Sequence, residues 1–120
     1  MQLTRKQIGD IGEEMAEKFL RNLNYIILAR NFRTKRGELD IIALDNRTLV
    51  FCEVKTRSTV RQGLPAEAIS ALKFQHIRQV ALIWLRLNSV PHEAIRFDLI
   101  SVLGPLAKNP KIEHLRGIEL

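Results

Sequence analysis

Two apolar, β-branched runs, Gly37-Glu-Leu-Asp-Ile-Ile-Ala-Leu44 and Thr48-Leu-Val-Phe-Cys-Glu-Val-Lys-Thr56, stand three residues apart and constrain the fold more than anything else in the chain. Their composition is that of strands from the middle of a sheet. Asp45, Asn46 and Arg47 leave room only for a tight connection, so the two runs are expected to pair as an antiparallel hairpin. Yet both runs carry charges inside them. Residues two apart on a strand share a face, which groups Glu38 with Asp40 and Glu53 with Lys55. A charge inside a sheet is costly unless it is paired or bound to a metal.

The remaining segments supply partners for that hairpin. Thr4 is a good N-cap, and Ile8, Ile11, Met15, Phe19 and Leu23 recur at helical spacing, predicting a helix over residues 4–23. After the break at Asn22 to Asn24, Tyr25 to Phe32 reads as a first strand. A basic turn, Thr34 to Gly37, leads into Glu38 to Leu44, and Thr48 to Thr56 completes an antiparallel meander. A loop with Gly63 and Pro65 precedes a long helix, roughly Ala66 to Leu87. Its apolar arc is Ile69, Leu72, Val80, Ile83 and Leu87, with Lys73 and His76 on the same arc; Phe74, Trp84 and Cys52 read as packing residues. Pro91 closes the helix, Ile95 to Leu103 gives a fourth strand, and Ile112 to Leu115 a short edge strand. The order α-β-β-β-α-β-β predicts one α/β domain over residues 1–120, a mixed central sheet flanked by helices. The long helix is the crossover that lets the fourth strand run parallel to the third.

Composition narrows the class. A chain of 120 residues, 46% hydrophobic, is long enough for one ordinary core. Lys and Arg number 19 against 13 Asp and Glu, a net charge of +6 that favours polyanions through counter-ion release. Cys52 is the only cysteine, which excludes an intrachain disulfide. No apolar h-region follows Met1, and no apolar run approaches the ~18 residues of a membrane span. The expected location is the cytoplasm, with no membrane partner and the oligomeric state left open, a homodimer included. His92 and His114 lack metal-ligand spacing, and no Walker loop or CxxC pair is present.

Carboxylates presented by two adjacent strands make a hard, oxygen-rich site suited to Mg²⁺ or Mn²⁺. Asp40 and Glu53 are the expected ligands, with the Val54 backbone carbonyl as a third. Such an ion polarises a phosphodiester oxygen and acidifies water. Lys55, two residues beyond Glu53, is placed to orient the water or offset charge growing on the phosphate. The plainer account is an ion pair of Lys55 with Glu53 or Asp40 and no chemistry, and spacing alone does not decide between them.

Gly37-Glu-Leu-Asp-Ile-Ile-Ala followed by Val50-Phe-Cys-Glu-Val-Lys-Thr-Arg57 resembles the signature of the YraN family of bacterial proteins. The resemblance extends through Gly9, Gly12-Glu13-Glu14, Asn31-Phe32-Arg33, Gly63, Pro65-Ala66-Glu67-Ala68, Lys73, Arg96-Phe97-Asp98 and His114. That family is in turn similar to archaeal Holliday-junction resolvases and to the restriction-endonuclease-like PD-(D/E)xK superfamily. The resemblance implies a restriction-endonuclease-like fold and a metal-dependent nuclease site with Asp40, Glu53 and Lys55 at the motif positions. The proline that names the superfamily motif is replaced, with Leu39 standing before Asp40.

At about 100° per residue, Glu13 falls at the edge of the first helix's apolar arc and Glu14 far behind it. Glu13 is therefore placed to reach over the sheet, at the position where resolvase-like proteins carry an acidic site residue; a surface carboxylate favoured by the helix dipole is the alternative. Lys73, near the start of the long helix, either snorkels or contacts phosphate. Arg30, Arg33, Lys35 and Arg36 lie at the turn before the second strand, and Arg57 and Arg61 follow the third, two basic loops able to rim a nucleic-acid backbone. The expectation is an Mg²⁺-dependent DNA endonuclease acting on branched or structured DNA; the rival is a non-catalytic nucleic-acid-binding or assembly module.

Overall fold

The computed structural model describes residues 2–58 and 70–118 of the chain. Helix α1 (Arg5–Asn22) opens on a reciprocal cap, because Thr4 Oγ1 accepts the Gln7 N–H at 3.1 Å and Gln7 Oε1 accepts the Thr4 N–H at 2.8 Å. Strands β1 (Ile26–Thr34), β2 (Gly37–Asp45) and β3 (Thr48–Arg57) form the expected meander. Helix α2 (Ala71–Leu87) crosses over to β4 (Ala94–Leu103), which runs parallel to β3, and β5 (Lys111–Leu115) closes the edge antiparallel to β4. The sheet order is β1-β2-β3-β4-β5. The chain is therefore a mixed α/β fold with the predicted element order. Among the described residues no helix is long and apolar enough to cross a membrane.

Two details differ from expectation. Strand β1 starts after Tyr25, whose N–H is spent on the Leu20 carbonyl at the end of α1, and it runs on to Thr34 because Lys35 and Arg36 alone make the turn. Helix α2 is described from Ala71, with Ser70 Oγ capping the Lys73 N–H at 3.1 Å; residues 66–69 of the predicted helix lie outside the described residues.

Of the predicted arc on α2 only Val80 is fully buried, Ile83 is half-buried, and Ile69 lies outside the described residues. Leu72 and Leu87 are 63% and 70% exposed, His76 is exposed with them, and Phe74, Ile77, Val80, Ala81 and Trp84 are buried. Aromatic bulk decides the rotation. Phe74 meets Phe97 edge-on at 5.4 Å and Trp84 meets Phe51 at 6.0 Å. Rings bury more area than leucines and add a geometric preference of their own, so they take the inner face.

Each face of the sheet has its own core. Leu49, Phe51 and Leu99 pack with the α2 residues; Val50, Cys52, Ile100 and Val102 pack with Ala16 and Leu20 of α1. Strand β2 crosses between the two. Ile41 and Ala43 belong to the α1 side, yet Leu39 joins Ile42 on the α2 side. Strict alternation would keep Leu39 with Ile41, so the strand changes face at Asp40. Opposite it, the β1–β2 register passes from Arg30↔Ile41 to Phe32↔Leu39 across Asn31, whose φ is +52°. Asn is among the few residues that adopt this left-handed region readily. The distortion of β1 at Asn31 and the change of face at Asp40 are two halves of one irregularity.

This gives a stability test. Asn31 is exposed, so substitution there changes backbone strain more than packing. Asn31→Val should lose about 1–2 kcal/mol in urea unfolding, whereas Asn31→Gly should stay within about 0.5 kcal/mol of the wild type. Equal losses in both variants would show that the side chain, not the backbone conformation, matters.

Candidate active site where strands β2 and β3 part

The β2–β3 ladder starts at the turn with Asp45↔Thr48 and ends at Ile41↔Cys52. One residue further, Asp40 Oδ2 accepts the Val54 N–H at 2.7 Å. A side chain thus takes the place of a ladder carbonyl, and the strands separate beyond it. Asp40 is 5% exposed. Glu53 lies alongside, its carboxylate 11% exposed and 3.0 Å from Lys73 Nζ at the start of α2. Burial, then the neighbouring Glu53 charge, pushes the Asp40 carboxyl from 3.8 up to about 7, against the Val54 N–H. Burial also raises Glu53, with Lys73 pulling it back.

Helix α1 brings in the next carboxylate. A Cβ on Gly12 would overlap the Thr56 side chain, so only glycine lets α1 lie this low over β3. Glu13 is consequently held against the sheet while Glu14 stays exposed, as the helical arc predicts. Glu13 Oε1 is buried without a hydrogen bond, its nearest cation being Arg30 Nη2 at 3.7 Å. Burial raises its carboxyl, and the Asp40 charge raises it further, against Arg30.

The basic residues are distributed unevenly. Lys55 is half-buried and follows Glu53 on one strand face. Lys35 and Arg36 are exposed at the β1–β2 turn, and Arg33 Nε is 3.1 Å from Glu38 Oε2. Arg30 turns toward α1, where it bridges Glu13 and Glu17 at 3.7 and 3.3 Å, instead of joining the turn. Arg57 is buried, not on the rim expected of it, and Arg61 lies outside the described residues.

Arg96, Asp98 and His114, which carry part of the resemblance but have no role assigned from sequence, form a second polar cluster. Asp98, on β4, accepts from Arg96 Nε at 2.8 Å, Arg96 Nη2 at 3.0 Å, His114 Nε2 at 2.7 Å and the Gly117 N–H at 3.1 Å. Arg96 also donates to Asp45 at 3.2 Å and Tyr25 Oη at 2.8 Å. Burial opposes ionisation of Asp98, but the bonds from His114, Arg96 and Gly117 outweigh it and hold the carboxyl below the usual range. The signal was an Arg-x-Asp pair inside a strand, the same i, i+2 grouping as Glu53 and Lys55.

Comparison with known proteins places the chain. The model of uncharacterised protein family UPF0102 matches residues 12–102. A UPF0102 protein of Geotalea daltonii is 47% identical over 111 residues, covering 92% of this chain and 87% of the relative. One from Nocardia farcinica is 46% identical over 95% of this chain and 90% of its own, and one from Renibacterium salmoninarum 38% identical over 96% and 98%. The chain belongs to the UPF0102 family.

The donor set of this UPF0102 protein suits a small hard cation. Among the described residues no three His, Cys, Asp or Glu side chains converge as a metal cluster, but Mg²⁺ ordinarily uses one or two carboxylates and fills its octahedron with water and phosphate. Asp40 and Glu53 supply two carboxylates, and the unbonded Glu13 oxygen is an adjacent acceptor. Asp40, Glu53 and Glu13 all have raised pKa values, first through burial, which Lys73 and Arg30 only partly offset at Glu53 and Glu13.

The sign of the Asp40 shift is testable. Its folded-state pKa, about 7, lies above the ordinary 3.8, so the folded chain holds the proton more tightly than the unfolded one. Below pH 4 the group costs nothing by ionisation; the penalty grows as pH rises to about 7 and is constant above. Asparagine can still accept the Val54 N–H. Thermal melts without divalent ions should therefore show Asp40→Asn gaining on the wild type between pH 4 and 7. A difference that does not vary with pH would place the Asp40 pKa near its ordinary value.

Proposed function

We propose that this protein is a metal-dependent endonuclease that hydrolyses phosphodiester bonds in DNA, with branched or otherwise structured DNA as its substrate and the cytoplasm as its location. The observation that carries the reading is the meeting of buried Asp40 with the half-buried Glu53 where β2 and β3 part, with Lys55 two residues beyond Glu53. The likeness of the Gly37–Ala43 and Val50–Arg57 segments to the YraN family, and through it to resolvases of the restriction-endonuclease-like superfamily, supports the same reading.

Asp40, Glu53 and the Val54 carbonyl would hold Mg²⁺ or Mn²⁺, which supplies Lewis acidity toward the phosphate and lowers the pKa of water. The Lys55 ammonium orients the attacking water and offsets negative charge as it builds on the phosphate oxygens. Glu13 adds an acceptor at the mouth of the site. The water oxygen bonds to phosphorus as it gives up a proton to solvent, the bond to the leaving sugar oxygen breaks, and that oxygen takes a proton back from solvent, so that one water is consumed per bond cut. Lys35 and Arg36 at the exposed turn, with Arg33, contribute backbone contacts on a chain of net charge +6.

Single-turnover cleavage of branched, single-stranded and duplex DNA with Mg²⁺ or Mn²⁺ tests the reading. Lys55→Ala should lower the rate by about 10²–10³, the usual loss for one preorganised electrostatic donor, while binding of metal and DNA persists. Cleavage unchanged by Lys55→Ala would assign the activity to another site, and binding without cleavage of any substrate would favour the non-catalytic module.

The basic turn makes a separate forecast. Neutralising Arg33, Lys35 and Arg36 together should weaken DNA binding and flatten the slope of log affinity against log salt by up to ~3. A wild-type slope in the triple variant would mean that these cations face away from the nucleic acid.

A further inference from the structure

Lys73 is the one cation in contact with the paired carboxylates among the described ion pairs, and its position is unfavourable for the helix that carries it. Ser70 is the N-cap of α2, so Lys73 is the third residue of the first turn, where the helix dipole favours acidic side chains and opposes basic ones. That turn contains no acidic residue. What Lys73 gains there is Glu53: its Nζ lies 3.0 Å from Glu53 Oε1. The partners differ in freedom. The Glu53 side chain is 11% exposed and fixed on a central strand, whereas Lys73 is 44% exposed on a flexible four-carbon stem.

We propose that Lys73 is a displaceable counter-ion, which neutralises Glu53 when no divalent ion is bound and is released to a substrate phosphate when one enters. The inference rests on the metal-site reading above and adds a coupling between its two ligands. A divalent ion between Asp40 and Glu53 brings two positive charges to where Lys73 brings one, and it repels the ammonium it displaces. The freed ammonium is then beside the place a phosphodiester must occupy. Metal binding thereby raises affinity for nucleic acid, and by linkage nucleic acid raises affinity for the metal.

The experiment is calorimetric titration of Mn²⁺ into the wild type, Lys73→Met and Lys73→Arg, without nucleic acid. Anisotropy of a labelled branched oligonucleotide, with and without Ca²⁺, completes it. Removing the competitor should tighten Mn²⁺ binding in Lys73→Met by up to about 5-fold, the scale of a partly exposed ion pair. The gain in oligonucleotide affinity on adding Ca²⁺ should shrink in that variant, and Lys73→Arg, which keeps the pair, should resemble the wild type. Lys73 is exposed and Met keeps its stem, so circular dichroism of both variants should match the wild type. Unchanged or weaker Mn²⁺ binding in folded Lys73→Met overturns the proposal and leaves the metal-site reading standing. Failure of the wild type itself to bind Mn²⁺ overturns both.

Discussion

The hydrogen bond from the Val54 N–H to Asp40 ends the β2–β3 ladder with a side chain in place of a backbone carbonyl. Several otherwise separate features follow from it. The strands part, so Glu53 is left beside Asp40 without a regular cross-strand partner from β2. Strand β2 changes face at the same residue, and Asn31 on β1 takes a left-handed conformation opposite it. A sheet that kept its alternation would hold Leu39 on the α1 side and the α2-side core would lose a fully buried leucine. The irregularity thus serves the core and the candidate site together, without a shift of register, since the β1–β2 shift lies elsewhere, between Ile27 and Ala29.

Two buried carboxylates in one sheet show what the surroundings decide. Asp98 receives four hydrogen bonds, two from a guanidinium, and stays ionised; it ties β4 to β5, to the segment around Gly117 and, through Arg96, to the end of β2. Asp40 receives one backbone N–H, and its nearest charged neighbour is another carboxylate. A satisfied network fixes a structure; an under-compensated one stores electrostatic free energy that a ligand of opposite charge releases. The fold that completed Asp98 leaves Asp40 and Glu13 short of partners, and that inequality is what supports the proposal of a site at Asp40.

Much of this was legible in the sequence. Strand alternation, helical periodicity and the shortness of the Asp45–Arg47 connection determine the element order and the parallel β3–β4 pair. The pairing of Asp40 with Glu53 follows from hairpin register, and Glu13 from its angle on α1. What periodicity could not supply was the competition between side chains for one face. Leucines and aromatics on α2 fit different arcs, and only contact with Phe51 and Phe97 decides for Phe74 and Trp84. Charge runs are similarly mute about direction: Arg30 and Lys35 look alike in sequence, yet one turns inward to Glu13 and Glu17 while the other faces solvent. Asn31 reads as an ordinary polar strand residue until its partner across the ladder is known.

The arrangement of the helices explains why one site draws on both faces of the sheet. A meander alone would expose β3 as an edge, with Glu53 and Lys55 open to solvent. The crossover through α2 places β4 beside β3 and makes β3 central, which leaves the Glu53 carboxylate only 11% exposed and raises its need for a cation. The same crossover sets the first turn of α2 over that carboxylate, and so delivers Lys73. On the other face, Gly12 lets α1 settle onto Thr56 and delivers Glu13. One helix contributes a positive charge and the other a negative one, on either side of a gap between two strands. Neither charge is needed for the core. Each is placed by a packing contact made one turn or less away, through Phe74 on α2 and Gly12 on α1, so the electrostatics of the gap are set by the hydrophobic core that surrounds it.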